Sequence, residues 1–231
     1  MPKRKPGWTL GVIPDVHYPD HNPKAVAWAK KTLEDLGIHE LVFLGDLHNV
    51  EAVSRFMKGL KDKAGLPREL EVARRFNKEW DEWRSGVPVT YLFGNHEARL
   101  SQYLKRQAPE LSDLPELVTR RLLGVPDDWE VVPYGDFIKR QGVLLQHGRK
   151  WSNNTSRANV HTLGCSSVQG HSHRVQMVSH RFAGTNKRVV ACEMGCLCNF
   201  NPCYAKLTDW CHACGYIKDG DINLVTRGAK V

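Results

Sequence analysis

Five short polar clusters follow apolar runs along the chain, and each contains side chains of the kinds that bind metal ions. In order they read "PDVH", "GDLHN", "GNHE", "QHG" and "GHSH". Their candidate metal ligands are Asp15, His17, Asp46, Asn95, His147, His171 and His173. In an open α/β sheet, ligand sites gather at the carboxyl ends of the strands. Strands that end in Asp, Asn or His are therefore expected to converge on one site.

The segment "VQGHSHRV" places two histidines one residue apart after a short apolar run. In extended chain, residues i and i+2 project to the same face, about 6.5–7 Å apart. That spacing suits two histidines that reach two neighbouring cations, and Asp15 and His17 repeat it. Paired metal ions in such sites lie about 3.5–4 Å apart. One bridging carboxylate is therefore expected, and Asp46 is the candidate.

The chemistry of these ligands indicates both the metals and the substrate. Carboxylate oxygen and imidazole nitrogen without thiolate suit manganese first, and also iron, zinc, nickel or cobalt. Two divalent cations carry more positive charge than Asp15, Asp46 and a bridging hydroxide can neutralise. The centre that remains is positive and should attract an anion such as a phosphate ester.

In this order the motifs resemble the five motifs of the calcineurin-like metallophosphoesterases, and they extend from Asp15 to His173. The resemblance implies an α/β fold, a four-layer α/β/β/α sandwich of two mixed sheets, with a binuclear site that hydrolyses phosphate esters. It implies that Asp15, His17, Asp46 and His173 hold one metal ion. It also implies that Asp46, Asn95, His147 and His171 hold the other.

The resemblance further implies a reaction in which a metal-bridging hydroxide attacks phosphorus in line. The metals, Asp46 among their ligands, and His96 would take up the charge that develops in the transition state. His96 would face the phosphate and protonate or stabilise the leaving oxygen. Arg99, three residues later, is a candidate for binding a phosphate oxygen, with a surface salt bridge as the alternative. His48 is a further candidate for facing the cleft.

Two departures from the family narrow the class of substrate. The Ser/Thr protein phosphatase branch carries "GDxVDRG", whose arginine binds phosphate, and Val50 takes that place here. That branch also lacks the "GHxH" signature, which is intact here as "GHSH". The sequence therefore favours the phosphodiesterase and nuclease side. Only 58 residues follow His173, too few for the DNA-capping domain of the repair nucleases. Compact bacteriophage and bacterial members are the most similar overall.

The leading prediction is a binuclear metal-dependent phosphodiesterase that acts on nucleic acid, as a DNA nuclease, or on a nucleotide. The first alternative is a phosphomonoesterase that acts on a phosphoprotein or a small metabolite. A second alternative is a non-catalytic scaffold that keeps the fold. Scaffolds usually lose ligands or the acid histidine, whereas this chain keeps every one of them.

Composition and net charge indicate which kinds of partner the protein can have. The chain has 231 residues, 41% hydrophobic and 25% charged, which is typical of a soluble globular protein and predicts one catalytic domain over residues 1–231. Its formal net charge of +8 favours polyanionic partners, nucleic acid above all, with a well-solvated basic surface as the alternative. The candidate contacts are Lys3, Arg4 and Lys5, Arg120 with Arg121, and Lys139 with Arg140.

Neither a membrane segment nor a secretory signal is evident. No stretch approaches the roughly 20 apolar residues that cross a bilayer. The basic N-terminus "MPKRKPGW" lacks the apolar region of a signal peptide. These features predict a cytoplasmic protein without membrane contacts.

Six of the seven cysteines lie in the segment 192–214. Because the number of cysteines is odd and the expected environment is reducing, a disulfide framework is not favoured. A structural zinc site is one hypothesis, built from Cys196, Cys198, Cys203, Cys211 and Cys214 with His212. Reduced, partly buried thiols are the alternative.

The elements that position these motifs follow from hydrophobic patterning. Short apolar runs ending at each motif predict strands, as in Trp8–Ile13, "HELVFLGD" and "VPVTYLFGN". Helices are predicted over residues 23–37, over 66–84, in "HEARLSQYLKRQ" and in "LPELVTRRLLG". The helical stripe Val72, Phe76, Trp80 and Trp83 predicts core packing. The second half predicts short strands and a closing hairpin, "CGYIKDGDINLVTR".

Overall fold

The computed structural model describes residues 7–55, 65–149, 152–200 and 208–228. The helices in these ranges are α1 (Pro23–Asp35), α2 (Gly65–Arg84), α3 (Asn95–Gln107), α4 (Thr119–Leu123) and α5 (Thr155–Leu163). None of these described helices is long and apolar enough to cross a bilayer. Asn22 caps α1, because its side-chain oxygen accepts a hydrogen bond from the Ala25 backbone N–H.

The first sheet has six strands in the order β11-β10-β1-β2-β3-β4. Their bounds are β1 Thr9–Ile13, β2 Glu40–Phe43, β3 Val89–Leu92, β4 Glu130–Val132, β10 Ala213–Lys218 and β11 Asp221–Thr226. Strands β1 to β4 are parallel, since helical crossovers connect them, whereas β10 and β11 join as an antiparallel hairpin. The C-terminal hairpin therefore completes the same sheet that the N-terminal half begins.

The second sheet has five strands in the order β5-β6-β7-β9-β8. Their bounds are β5 Phe137–Arg140, β6 Val143–Gln146, β7 Ser167–Gln169, β8 Val175–Phe182 and β9 Lys187–Met194. Strands β6, β7 and β9 are parallel, and β5 and β8 are antiparallel to their neighbours. Both sheets are therefore mixed.

Three apolar clusters separate four layers. Between the sheets, Leu10, Val12 and Val42 share a cluster with Leu145, Val168 and Met194. The other face of the first sheet is covered by Ala29 and Leu33 of α1 and by Trp80 of α2. The outer face of the second sheet is covered by Val160 of α5, which packs with Val189 and Ala191. The expected four-layer α/β/β/α sandwich is confirmed.

Local predictions were confirmed where hydrophobic periodicity was strong and wrong where it was weak. Val72 and Trp80 of the helical stripe are buried, and Phe76 and Trp83 pack against the same core. The single helix predicted over residues 114–124 is wrong. Val118 there is extended, at ψ 141°, and separates the 3₁₀ turn Pro115–Leu117 from α4. Helix α5 was not predicted, because Val160 is its one fully buried apolar residue.

Candidate metal centre

The polar clusters lie where five strands end. Asp15 follows β1 and Asp46 follows β2, while Asn95 begins α3 just after β3. In the second sheet, His147 directly follows β6, and His171 follows β7. Because these strands run parallel within each sheet and the sheets are packed face to face, their carboxyl ends share one edge of the sandwich. The seven predicted ligands therefore converge there.

The backbone of these loops is unusual. Five predicted ligands have positive φ angles, namely Asp15 (25°), His17 (58°), Asp46 (48°), His171 (73°) and His173 (61°). Such angles are uncommon outside glycine, cost about 1–3 kcal/mol each, and persist where the surrounding structure imposes them. Strain concentrated on these residues indicates that the loops are shaped to aim side chains.

The reason given for the "GHSH" spacing was wrong, although its two histidines do reach different clusters. His171 and His173 do not lie in extended chain, because β7 ends at Gln169 and both have left-handed backbone. The turn directs the His171 ring to His147 and the His173 ring to His17. Gly170 permits this turn to approach Asp15, since an added Cβ would lie 2.2 Å from Asp15 Oδ2.

The first cluster consists of Asp15, His17 and His173, all of them buried. His173 Nε2 lies 3.4 Å from Asp15 Oδ1 and 3.0 Å from His17 Nε2. His17 Nε2 is in turn 3.9 Å from Asp15 Oδ1. Two imidazole nitrogens and a carboxylate oxygen thus face a common point.

The second cluster consists of Asp46, His147 and His171, with Asn95 beside them. Asp46 Oδ2 lies 3.3 Å from His147 Nε2, and Asn95 Oδ1 lies 3.0 Å from the same nitrogen. Asp46 Oδ2 is also 3.8 Å from His17 Nε2, in the first cluster. Asp46 therefore lies between the clusters, where a bridging carboxylate is expected. The donor set fits two divalent ions, and the assignment of individual ligands stays a prediction.

Hydrogen bonds orient the histidine rings through their second nitrogens. His147 Nδ1 donates to the Leu44 carbonyl oxygen at 2.8 Å, which leaves Nε2 facing the cluster. His17 Nδ1 lies 2.7 Å from Asn49 Oδ1, and Asn49 Nδ2 donates to Asp20. Asn49 was missed in the sequence, although it is the last residue of "GDLHN". Its position in that motif was the available signal.

Glu97 is a second residue that sequence reasoning did not single out. Its fully buried carboxylate accepts hydrogen bonds from the backbone N–H groups of Asp46, Gly94 and His48. Tyr91 Oη donates to it as well, at 2.7 Å. Glu97 therefore ties the Asp46 turn to the start of α3, and its signal was the final residue of "GNHE".

His96 faces the centre from the start of α3. Its Nδ1 donates to the Asn49 carbonyl oxygen at 2.8 Å, and its Nε2 lies 3.8 Å from Asp46 Oδ2. Arg99 Nη2 lies 3.0 Å from His96 Nε2, while Arg99 Nη1 binds Glu51 at 2.6 Å. Arg99 thus forms a salt bridge and also lies beside His96, and its binding of a phosphate oxygen stays a prediction.

The expectation that His48 faces the cleft is wrong. His48 is buried, and its Nε2 lies 2.9 Å from Asn77 Oδ1 on α2. Asn77 in turn donates to the Leu123 carbonyl oxygen, which anchors this pair between α2 and α4. Burial lowers the pKa of His48 to about 4, so it is a neutral packing residue.

The histidines of the site differ in the direction in which their surroundings shift their pKa values. Burial, with repulsion from His96 and His173, lowers the pKa of His17 to about 4, and burial likewise lowers that of His96 to about 4. Burial also disfavours charge on His147 and His173, but Asp46 raises the pKa of His147 to about 9. Asp15 and Cys198 raise that of His173 to about 10. Without metal, those two rings carry protons that a cation would displace.

The hypothesis of one zinc site on the C-terminal cysteines is not supported by the described residues. Cys196 and Cys198 approach His173, and their potential ligand atoms lie within 4.8 Å of one another. Cys214 instead belongs to the apolar core, because β10 turns it inward. His212 Nε2 lies against the Cys198 carbonyl oxygen, at 2.8 Å. Cys203 falls outside the described residues.

A four-layer α/β/β/α sandwich with an aspartate and histidine site at its strand ends defines the class of the metallophosphoesterases. Residues 9–192 match the family model "Calcineurin-like phosphoesterase", and the chain belongs to that family.

The chain is also similar to individual proteins. The chain is 27% identical to the Gene 54 protein of Mycobacterium phage L5, over 81% of this chain and 78% of that protein. The corresponding protein of Mycobacterium phage D29 is 26% identical over the same shares. Among solved structures, a dimetal phosphatase from Danio rerio superposes with a TM-score of 0.50 at 12% identity, over 97% of each chain.

Proposed function

We propose that this protein is a phosphodiesterase dependent on two metal ions, manganese as first choice, that hydrolyses nucleic acid or a nucleotide. Membership of a phosphoesterase family supports hydrolysis of phosphate esters in general. The observation that carries the proposal is the pair of Asp and His clusters joined by Asp46, with His96 beside them. We further propose that residues 1–231 form a single catalytic domain, since β10 and β11 belong to the same sheet as β1.

The chain's own residues would divide the work of hydrolysis. Two divalent ions, when bound, would supply Lewis-acid charge that activates water and neutralises the phosphate. Asp15, His17 and His173 would hold one of them, and Asn95, His147 and His171 the other, with Asp46 shared. His96, fixed through Nδ1, would direct Nε2 at the phosphate. It would give a proton to the leaving oxygen from the doubly protonated ring, a form that the negative charge of a bound phosphate would favour.

In the described part of the chain, no arginine occupies the phosphate-binding position of the protein phosphatase branch, which supports a diester over a monoester. Val50 stands where the protein phosphatase branch has its phosphate-binding arginine, and its side chain is buried in the apolar core. Arg99, which lies beside His96, is already paired with Glu51. A monoester carries one more negative charge than a diester at neutral pH, and the described residues of this site lack the arginine with which the protein phosphatase branch binds that charge.

A substrate panel joined to metal analysis tests the proposal. Protein loaded with manganese should hydrolyse bis(p-nitrophenyl) phosphate faster than p-nitrophenyl phosphate, and should cleave single- or double-stranded DNA. Asp46→Asn should lose the second metal ion together with the activity, because it weakens the shared ligand. A clear monoester preference without DNA cleavage would instead identify a phosphomonoesterase. A metal-loaded protein that hydrolyses neither ester would identify a scaffold.

A further inference from the structure

The net positive charge of the chain comes from one segment of the sequence. Residues 137–192 contain nine Lys and Arg but no Asp or Glu. Residues 1–136 contain 20 Lys and Arg against 21 Asp and Glu, and residues 193–231 contain four of each kind. The net surplus therefore lies in the segment of the chain that forms α5 and most of the second sheet, since β5 to β8, α5 and most of β9 fall within 137–192.

Three arginines of the basic pairs that the sequence offered as nucleic-acid contacts are bound to other groups of the protein. Arg121 Nη1 lies 2.9 Å from Asp127, and Arg120 donates to the Pro126 carbonyl oxygen. Arg140 lies between Glu40, at 2.8 Å, and Glu130. These arginines stabilise the first sheet and its loops, so they are poor anchors for a polyanion. The third candidate, residues 3–5, lies outside the described residues.

A different basic feature projects from the second sheet. Strand β7 is three residues long and pairs with β9 only over residues 191–193. Residues 179–182 of β8 and 187–190 of β9 therefore continue as a two-stranded ribbon beyond it, here called the β8–β9 ribbon. Helix α5 packs on one face of this ribbon through Val160, Val178 and Phe182.

Arg181 and Arg188 stand directly opposite each other across the β8–β9 ribbon. Both are exposed, and each binds a neutral group, Asn186 and Ser179 respectively. Within the described part of the chain, neither pairs with a carboxylate. Like charges directly across a strand pair are destabilising, so their juxtaposition is explained better by an anionic partner than by folding.

We infer that the β8–β9 ribbon binds the phosphate backbone of a DNA duplex and leads it to the metal centre, an inference that rests on the proposed function. The planar guanidinium group of arginine can donate two hydrogen bonds to phosphate oxygens. A two-stranded ribbon also has a width that the major groove of DNA admits. The ribbon is also connected to the site, because β8 begins two residues after His173.

The distance along β8 matches a short stretch of duplex. Arg181 lies six positions after Val175 along β8, which at about 3.4 Å per residue is roughly 20 Å. A duplex rises about 3.4 Å per base pair. About six base pairs therefore bridge the arginine pair and the beginning of the site, so a single duplex can engage both.

Binding of a fluorescent 20-base-pair duplex, measured by anisotropy across a salt series, tests this inference. In an Asp46→Asn background, which is expected not to cleave, the double variant Arg181→Gln/Arg188→Gln should weaken binding up to about 60-fold at 0.1 M salt. It should also reduce the slope of log K against log salt by about 1.8, the value for two phosphate contacts. The matched control Arg120→Gln/Arg121→Gln removes the same charge and should change affinity less than about twofold.

The outcomes distinguish this inference from the proposed function. With Asp46 intact, the Arg181→Gln/Arg188→Gln protein should hydrolyse bis(p-nitrophenyl) phosphate as the parent does, which shows that the fold and centre are unaffected. If both double variants lose affinity equally, or neither does, the ribbon is not the binding surface. If the parent binds duplex through the ribbon but hydrolyses no diester, the proposed function fails while this inference stands.

Discussion

Cys198 Sγ lies 3.7 Å from Nδ1 of His173, the histidine whose Nε2 faces Asp15. Both residues are buried. Histidines that bind metals generally direct their second nitrogen at a carboxylate, a backbone carbonyl or water, and this contact fixes the ring and tunes its basicity. Contact with Cys196 and with His173 lowers the pKa of Cys198 to about 5, despite its burial. A cysteine from the C-terminal segment thus takes the orienting position.

Replacing Cys198 by Ala should weaken metal binding in the first cluster by about 10- to 100-fold, the usual effect of losing such an orienting contact. Cys198→Ser should recover part of the loss, because a hydroxyl still accepts a hydrogen bond. Calorimetric metal titration measures both effects. Cys165→Ser, on the partly exposed loop after α5, is the control. Equal affinities in Cys198→Ala and Cys165→Ser would leave Cys198 without an orienting role.

Glu97→Gln should lower the free energy of unfolding by about 1–3 kcal/mol. The amide NH₂ would face a backbone N–H that now donates to the carboxylate, so a buried donor would lose its acceptor. Because the Asp46 turn depends on Glu97, the second metal ion should also bind more weakly. Thermal unfolding with and without manganese measures both effects.

Glu69→Gln is the matched control for Glu97→Gln. Glu69 also accepts two backbone N–H bonds, from Glu51 and Ala52, but outside the metal centre. The Glu69→Gln substitution should lower the free energy of unfolding less than Glu97→Gln does, and it should leave metal affinity unchanged. If the two variants change metal affinity alike, Glu97 does not position the Asp46 turn.

His96→Asn should reduce kcat for the diester by about 10²–10⁴-fold while leaving metal content unchanged. The reason is that His96 faces the centre but belongs to neither of the predicted ligand sets. Steady-state kinetics and elemental analysis on the same preparations provide the measurement. His161→Asn, on the exposed side of α5, should behave like the parent. Loss of a metal ion in the His96→Asn variant would indicate that His96 is a metal ligand instead.

Metal loading should release about two protons near pH 7.5. His147 and His173 have pKa values raised to about 9 and about 10, so both rings are protonated there without metal, and a bound ion requires the neutral ring. Apparent affinity should therefore rise about tenfold per pH unit for each ion between pH 6 and 8. Calorimetry in two buffers of different ionisation enthalpy counts the protons. Affinity independent of pH would contradict the assigned protonation.

Much of the centre is determined by the sequence alone, because each ligand motif is local. An apolar run ending in Asp, Asn or His places that residue at a strand end whatever the rest of the chain does, and parallel strands bring those ends to one edge. The five motifs therefore predicted the residues of the two clusters between which Asp46 lies. Strong helical periodicity similarly predicted α1 and α2.

The partners of those residues were decided by the tertiary structure, because they come from distant parts of the chain. Asn49 orients His17 from 32 residues away, and Arg140 pairs with Glu40 across 100 residues. Which side of a turn faces the cleft is equally non-local, and His48 turns to α2 because Asn77 provides its partner there. Residue types can be read along a chain, but contacts between them depend on how its layers pack.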